Sequence, residues 1–488
     1  MMAVSLYTSR VVLNALGVED FGIYNVVGGV VAMFTVLSGS LSAAISRFIT
    51  YELGKGNQEN LNKIFSSAVT IQLGLAGIII LLAETIGIWF LNVKMNIPEM
   101  RMEAANWVFQ FSILTFAINL ISVPYNASII AHEKMSAFAY ISILEAIGKL
   151  AIAYLIVVSP MDKLIFYAIL MCIVALIVRF TYGNYCKRHF SECTYHFIWD
   201  KQLLKQMFGF AGWNFIGAAS AVLRDQGGNV VINLFCGPTV NAARGIAFQV
   251  NTAVNQFVTN FMTALNPQIT KSYAAENNEY MMTLIFQGAR LSFYMLLLLS
   301  LPILVNTHYI LELWLKIVPE HAVLFVQLVL IFAMSESISH PLITAMLATG
   351  KIRNYQLIVG GLQMMNLPIS YLLLRWGFFP EIVIIVAICI SQCCLAARLV
   401  LLRGMIGVSI RKYLQKVYFN ILTVSAIAIV LPLISTQYID ETFIGFIIVS
   451  LIAVVCTIIS IYFIGCNRQE RQFIHQKLDT IRTKITRK

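Results

Sequence analysis

Charged side chains are scarce in this sequence. Asp, Glu, Lys and Arg make up 12% of the 488 residues, hydrophobic types make up 59%, and the mean hydropathy is +0.79. Soluble domains carry about 25% charged residues, so this composition excludes a soluble globular protein and a disordered one alike. A nucleotide fuel site is also missing: "ATGKIRN" has Gly350 and Lys351 but neither the earlier glycine nor the following hydroxyl of a phosphate-cradling loop. "HEKMS" begins like a zinc-protease helix, yet Ser136 stands where the second histidine belongs. The nine cysteines are scattered over apolar runs and their edges, with no disulfide framework. One stretch, "CKRHFSECTYH", offers Cys186, His189, Cys193 and His196, but four ligands strung along one straight helix splay apart instead of closing a tetrahedron. No metal or other cofactor is therefore expected. No segment reads as a cleavable signal, and external polar connections reach only about 15 residues, too short for a catalytic domain.

What the sequence does contain is apolar runs long enough to cross a bilayer, about 20 residues each. Fourteen are counted, at approximately 1–16, 21–46, 64–91, 104–130, 138–159, 164–182, 207–234, 240–267, 281–305, 321–347, 355–375, 380–401, 418–435 and 443–464. The expected fold is an all-α polytopic membrane protein. Met1 begins inside an apolar run, so either the chain starts upstream or the first helix is short. With the amino terminus in the cytoplasm, 24 of the 34 Lys and Arg fall on that side, counting helix-edge Arg47, Arg179 and Arg398. Five fall on the other side, and five (Arg10, Lys149, Arg224, Arg244 and Arg290) lie within spans. This asymmetry puts both termini inside. The net charge of +11 is then a topology signal, and no nucleic-acid partner is expected. The tail, residues 466–488, lines up Phe473 or Ile474, Leu478, Ile481 and Ile485 among basic residues, the pattern of an amphipathic helix on membrane lipids.

A repeat organises the spans. "LGVEDFG" around Gly17 is followed by "IFSSA" at Ile64, and "CGPTVNA" around Gly237 is followed by "IFQGA" at Ile285. The two glycines stand 220 positions apart and the two isoleucines 221. Pro124, Ala131 and Lys134 recur as Pro341, Ala348 and Lys351, 217 positions on. These matches predict two pseudo-symmetric six-helix bundles, 1–182 and 207–401, joined by a cytoplasmic linker at 183–206 and followed by an extra helix pair at 402–465. An even number of spans per copy preserves orientation, so the pseudo-twofold axis lies along the membrane normal and the cleft between the copies is the expected substrate site.

Two runs are too polar for lipid. "VNAARGIAFQVNTAVNQFVTNFMTALNPQ" puts Ile246, Val250, Val254, Phe257, Phe261 and Leu265 on one line, and Arg244, Asn251, Asn255, Thr259, Thr263 and Asn266 on another. The preceding run adds Arg224, Asp225, Asn229 and Asn233. Such faces glue helices together or line a wet cavity. Arg224 and Asp225, adjacent in sequence, point about 100° apart on a helix and are expected not to neutralise each other. Gly227 and Gly228 allow a bend or close packing. Glu145 and Lys149 read as an i, i+4 ion pair, with a transport role as the alternative; Glu336 and His340, also i, i+4, have the spacing to exchange a proton. Arg10, Arg224, Arg244 and Arg290 point to an anionic substrate, a phosphate or diphosphate, because the guanidinium matches phosphate geometry and keeps its charge.

The opening "SRVVLNALGVEDFGIYNVVGGVVAMF" resembles the polysaccharide-export flippases of the multidrug/oligosaccharidyl-lipid/polysaccharide (MOP) exporter superfamily through Arg10, Leu13, Leu16, Gly17, Phe21, Gly22 and Tyr24. The likeness extends through both sixfold halves and the final helix pair. It implies transfer of lipid-linked oligosaccharide on undecaprenyl diphosphate, for O-antigen or capsule-type glycans, from the cytoplasmic to the periplasmic leaflet of a bacterial inner membrane by alternating access. It implies further that Arg10, Arg47 and Arg244 contact the diphosphate, with Asn251 and Asn255 beside Arg244 on the polar line. An acidic residue of the seventh span, here Asp225, would belong to a cation site, and polysaccharide polymerase or assembly proteins would be partners. From their placement within spans, Asp225, Glu336 or Glu145 are the residues expected to couple H⁺ or Na⁺. The alternatives are a peptidoglycan-precursor flippase, a multidrug exporter of the same superfamily and, in a different class, a membrane enzyme acting on lipid-linked sugars.

Overall fold

The computed structural model describes residues 35–93, 97–159, 161–316, 318–472 and 475–476, with positions 8, 11–12, 15–17, 20–21, 23–24 and 27. Among the described residues there are helices and connections but no strand. In chain order they are α1 (Thr35–Lys55), α2 (Gln58–Leu82, continued by Ala83–Gly87 and Ile88–Val93), α3 (Met102–Ala131), α4 (Met135–Leu155) and α5 (Lys163–His189). A stretch assigned as Lys201–Ala274 is broken at Gly237, giving α6 (201–236) and α7 (238–274). Then come α8 (Asn278–Val305), α9 (Thr307–Leu315), α10 (Ala322–Ser337), α11 (His340–Thr349), α12 (Arg353–Met364) and α13 (Asn366–Arg375). The chain ends with α14 (Ile382–Ile406), α15 (Ile410–Tyr413), α16 (Phe419–Tyr438) and α17 (Phe443–Ser460).

Ten helical segments among the described residues are long and apolar enough to cross a membrane, and they coincide with ten of the fourteen expected runs. The chain is a multi-pass membrane protein. Expected spans 207–234 and 240–267 fall within α6 and α7, which are long enough but more polar. Two single runs are interrupted: the one over 321–347 breaks at Ile338–Ser339 and the one over 355–375 at Met365. The short helix α9 is an addition that apolar periodicity did not predict. The tail positions 473–474 and 477–488, with their proposed amphipathic face, lie outside the described residues, as does Arg10.

The chain forms two compact units, one of residues 1–218 and 270–276, the other of 219–269 and 277–488. In the first, Val12, Leu16, Ile23 and Val27 join Leu91, Val108, Phe109 and Ile152 in one buried cluster. Its polar edge is tied by Arg101, which binds Asp20 through two nitrogens and Asp162 at 2.5 Å. Elsewhere α1 meets the end of α7: a Cβ on Gly54 would lie 2.8 Å from the Lys271 Cα and 3.0 Å from its carbonyl oxygen. Lys271 also pairs with Glu133 at 2.8 Å. The 190–200 connection is sewn to α2 by Asn62, whose amide donates to the Glu192 carbonyl and Thr194, and by Ser66, which accepts from the His196 amide. His132 reaches Glu192 at 2.6 Å. Burial raises the Glu192 carboxyl, but His132 and the Gln58 donor outweigh it and hold the group below its usual range. Cys186 and Cys193 are buried here while His189 and His196 are exposed, and among the described residues no three His, Cys, Asp or Glu converge as metal ligands.

In the second unit, fully buried Tyr413 donates to the Ile338 carbonyl at 2.9 Å across the break between α10 and α11. Its polar edge has a clamp of the same kind, His321 to Glu381 at 2.7 Å. Arg101 and His321 are 220 positions apart, Asp162 and Glu381 219. Gly17 and Gly237 both have φ 81°. Asn57 caps α2 by accepting from the Asn60 amide, as Asn277 caps α8 by accepting from Tyr280, again 220 positions on.

Gly54→Ala forces a methyl against backbone that cannot swing away, and is expected to destabilise by about 1–3 kcal/mol. Gly39→Ala, in the same helix but with nothing within 4 Å of the new carbon, should instead raise the thermal midpoint slightly, because alanine is the better residue in a helix interior. Because the folded Glu192 carboxyl is depressed, its contribution is full above the unfolded carboxylate range and fades as pH falls through the folded value. The gap in thermal midpoint between wild type and Glu192→Gln should therefore be widest near neutral pH and close in acid.

Candidate functional site

Asp200 starts α6 by accepting from the Gln202 and Leu203 amides at 2.9 and 3.0 Å. The helix ends at Gly237, whose φ of 81° and ψ of 178° are open to glycine alone, and Pro238 follows, a residue suited to a helix start because it has no amide hydrogen to satisfy. The two polar helices, covalently joined at this point, bring their charged residues together in the second unit.

Arg244 of α7 lies against α6. One terminal nitrogen donates to the Asn229 side-chain oxygen and the other to the Asp225 backbone carbonyl at 3.0 Å, while the guanidinium stacks 4.1 Å over Phe248. Gly228 makes the approach possible, since a Cβ there would stand 3.1 Å from an Arg244 nitrogen; Gly227 similarly makes room for Leu367. Both glycines sit in unbroken helix, so close packing, not a bend, is their structural role. Arg244 is 4% exposed, its Nε has no hydrogen-bond partner, and among the described residues no carboxylate pairs with it.

Arg224 is different. It binds Asp225 at 2.9 and 3.4 Å, which overturns the expectation that adjacent residues would stay apart: the long arginine side chain curls back over its neighbour. It also lies 3.7 Å from Glu336 of α10 and 5.0 Å over Phe332. Glu336 has one carboxyl oxygen buried without a partner and feels both His340 and Arg398 of α14. Arg398 is the residue that sequence reasoning misplaced. Assigned to a helix edge, it is instead 1% exposed, beside the Tyr355 hydroxyl, with two nitrogens unpartnered. The cluster holds three arginines against two carboxylates, and both carboxylates are engaged by Arg224.

The polar line of α7 is rearranged relative to expectation. Arg244 shares the buried side with Ala247, Val254 and Val258, whereas Phe257 is exposed. Asn255 donates to Asn251 at 2.6 Å, so these two partly satisfy each other. A second polar line, Gly245, Gln249, Thr252, Gln256 and Thr259, is exposed along the helix. Exposed glutamines on a helix of membrane length need water, not hydrocarbon.

The other anticipated residues are elsewhere. Arg47, in the first unit, stacks on Tyr51 and Phe48 at 4.6 and 4.7 Å. Arg290 donates to the Gly465 carbonyl at 2.8 Å and to Glu470 at 2.5 Å, so its terminal nitrogens hold the segment after α17 in place of a substrate. Glu145 pairs with Lys149 at 2.6 Å on a half-exposed face of α4.

Residues 3–273 match the family model described as polysaccharide biosynthesis protein. The chain belongs to this family. Its fold is that of MOP superfamily transporters. A multidrug resistance MATE transporter of the MOP superfamily in an outward-facing conformation is similar at TM-score 0.69 and 14% identity, over 83% of this chain and 92% of that one. A Vibrio cholerae MATE transporter in the bent form is similar at TM-score 0.69 and 14% identity, over 85% and 94%. A Pyrococcus furiosus MOP superfamily transporter, described as having a binding pocket of reverse polarity, is similar at TM-score 0.66 and 14% identity, over 83% and 92%. No curated protein matches the sequence.

In this polysaccharide biosynthesis family member, Arg224 and Glu336 should be energetically coupled. A double-mutant cycle of Arg224→Gln and Glu336→Gln, read by thermal unfolding in detergent, is expected to return about 0.5–3 kcal/mol of coupling. Additive losses would show that the approach of these two side chains contributes nothing.

Proposed function

We propose that the protein is a flippase that moves undecaprenyl-diphosphate-linked oligosaccharide from the cytoplasmic to the periplasmic leaflet of a bacterial inner membrane by alternating access, for polysaccharide biosynthesis. The observation that carries this reading is Arg244. A guanidinium this buried, without a carboxylate, costs several kcal/mol unless an anion arrives. A diphosphate would supply that anion, and the exposed glutamines and threonines along α7 suit the hydroxyls of the sugars that follow it. The polyprenyl tail stays in lipid, so only the head group needs a polar route.

Family membership favours a polysaccharide-related cargo over the cations of a multidrug exporter. The acids of the cluster are taken up by Arg224, which leaves a poor site for an organic cation and weighs against multidrug export. On this proposal Arg244 is the primary diphosphate contact and Asn251 and Asn255 assist, while Arg10 and Arg47 remain candidate contacts by the family resemblance alone. Asp225 and Glu336 are the coupling residues for H⁺ or Na⁺, since protonating or metallating either would loosen Arg224. On this proposal the protein is a carrier and not an enzyme. The recurrence of caps, clamps and left-handed glycines at one nearly constant spacing supports descent of 1–182 and 207–401 from one duplicated six-helix bundle.

The test is flipping of a fluorescent undecaprenyl-diphosphate oligosaccharide in proteoliposomes, with outer-leaflet exposure read by an impermeant lectin. Arg244→Ala should slow exposure about tenfold or more, the loss of a charge-assisted contact, and Arg244→Lys should recover part of it. Wild-type rates in a normally inserted Arg244→Ala protein would refute the diphosphate assignment.

A further inference from the structure

A cavity of about 920 Å³ opens in the first unit at the carboxyl end of α5 and is lined by Tyr125, Arg179, Lys187, Arg188, Tyr185 and Tyr195, among others, with no Asp or Glu in its wall. Arg179 lies ten residues before the end of α5, too far back to be a mere cap on its carbonyls. Its guanidinium stacks 3.9 Å over Tyr125 of α3 and runs past Gly183, where a Cβ would stand 2.8 Å from one of its nitrogens. Among the described residues Arg179, Lys187 and Arg188 make no ion pair. Glu192, in the connection that follows, is engaged by His132 and Gln58. The outer wall is held in place by the Asn62 and Ser66 bonds to the 190–200 connection and by Thr70, 3.4 Å from the Tyr195 hydroxyl. Arg398, 219 positions beyond Arg179, sits at the corresponding place in α14 but is buried beside Glu336. The first copy is open and lacks the acid.

We propose that this pocket binds the phosphate head group of an acidic membrane lipid. Three cations without counterions call for an anion, and guanidinium forks suit phosphate. The aromatic residues favour the bilayer as its source: Phe180 and Tyr195 line the pocket, Phe180 is 73% exposed, and Phe197 and Trp199, which follow Tyr195 in the chain, are 71% and 70% exposed, the kind of rings that sit at a membrane interface. Basic pockets beside membrane-length helices hold lipid head groups, and the tyrosines of this wall would be left for the glycerol and first acyl carbons. The site is independent of the transport cluster, since it shares no residue with it.

The full-length protein in phosphatidylcholine nanodiscs, with and without phosphatidylglycerol, would be analysed by native mass spectrometry for retained lipid. Wild type should keep phosphatidylglycerol in preference to phosphatidylcholine. Arg179→Gln/Arg188→Gln should weaken retention about tenfold or more. Lys187→Gln/Arg188→Gln, at exposed positions that leave the fold intact, should weaken it in the same direction. Lys201→Gln/Lys205→Gln removes equal charge from exposed sites outside the pocket and should have no effect. Equal weakening by that control pair, equal retention of phosphatidylcholine, or displacement of the lipid by inorganic phosphate would each overturn the proposal.

Discussion

A guanidinium in hydrocarbon has no water to fall back on, and much of the second unit is arranged around that constraint. Arg224 takes two carboxylates, Asp225 and Glu336. Arg244 receives only an amide oxygen, a backbone carbonyl and an aromatic face. The local sequence serves these contacts: Gly228 clears the approach, Asn229 supplies the acceptor, and Gly237 lets the chain leave one polar helix and begin the other. Neutralising all three arginines with acids would be simpler for stability. Arg244 and Arg398 make no ion pair among the described residues, and of the two it is Arg244 on which the proposed diphosphate contact rests.

The fold was largely legible in the sequence because burial in a bilayer demands runs of a fixed length. Ten of these runs appear as membrane-length helices, with limits up to eight residues from the expected ones. Where the reading failed, side-chain reach or local backbone was responsible. Helical angles correctly put Arg224 and Asp225 on different bearings, but four rotatable bonds let the arginine return to its neighbour. The helix break at Ile338–Ser339 has no glycine to announce it and is stabilised from afar by the Tyr413 hydroxyl.

The candidate site was legible in part. Arg224, Asp225, Asn229, Arg244 and Glu336 stand out as polar groups in apolar runs, and the structure gathers them. Arg398 was hidden because a position near a helix end has the same sequence appearance whether it snorkels to water or turns inward. Its spacing of 219 from Arg179 was the available signal. Arg290 shows the converse, a lone intramembrane cation whose partner, Glu470, belongs to the terminal segment and so could not be paired by any local spacing.

The arginine at position 101 has a consequence for how the chain is made. Its two carboxylate partners lie 81 residues before it and 61 residues after it. While the protein emerges from the ribosome, Asp20 and Arg101 are available to each other well before Asp162 is synthesised. Asp20 can therefore be held by one half of the clamp as the next spans insert, and the other half becomes available only with Asp162, the residue that caps the start of α5.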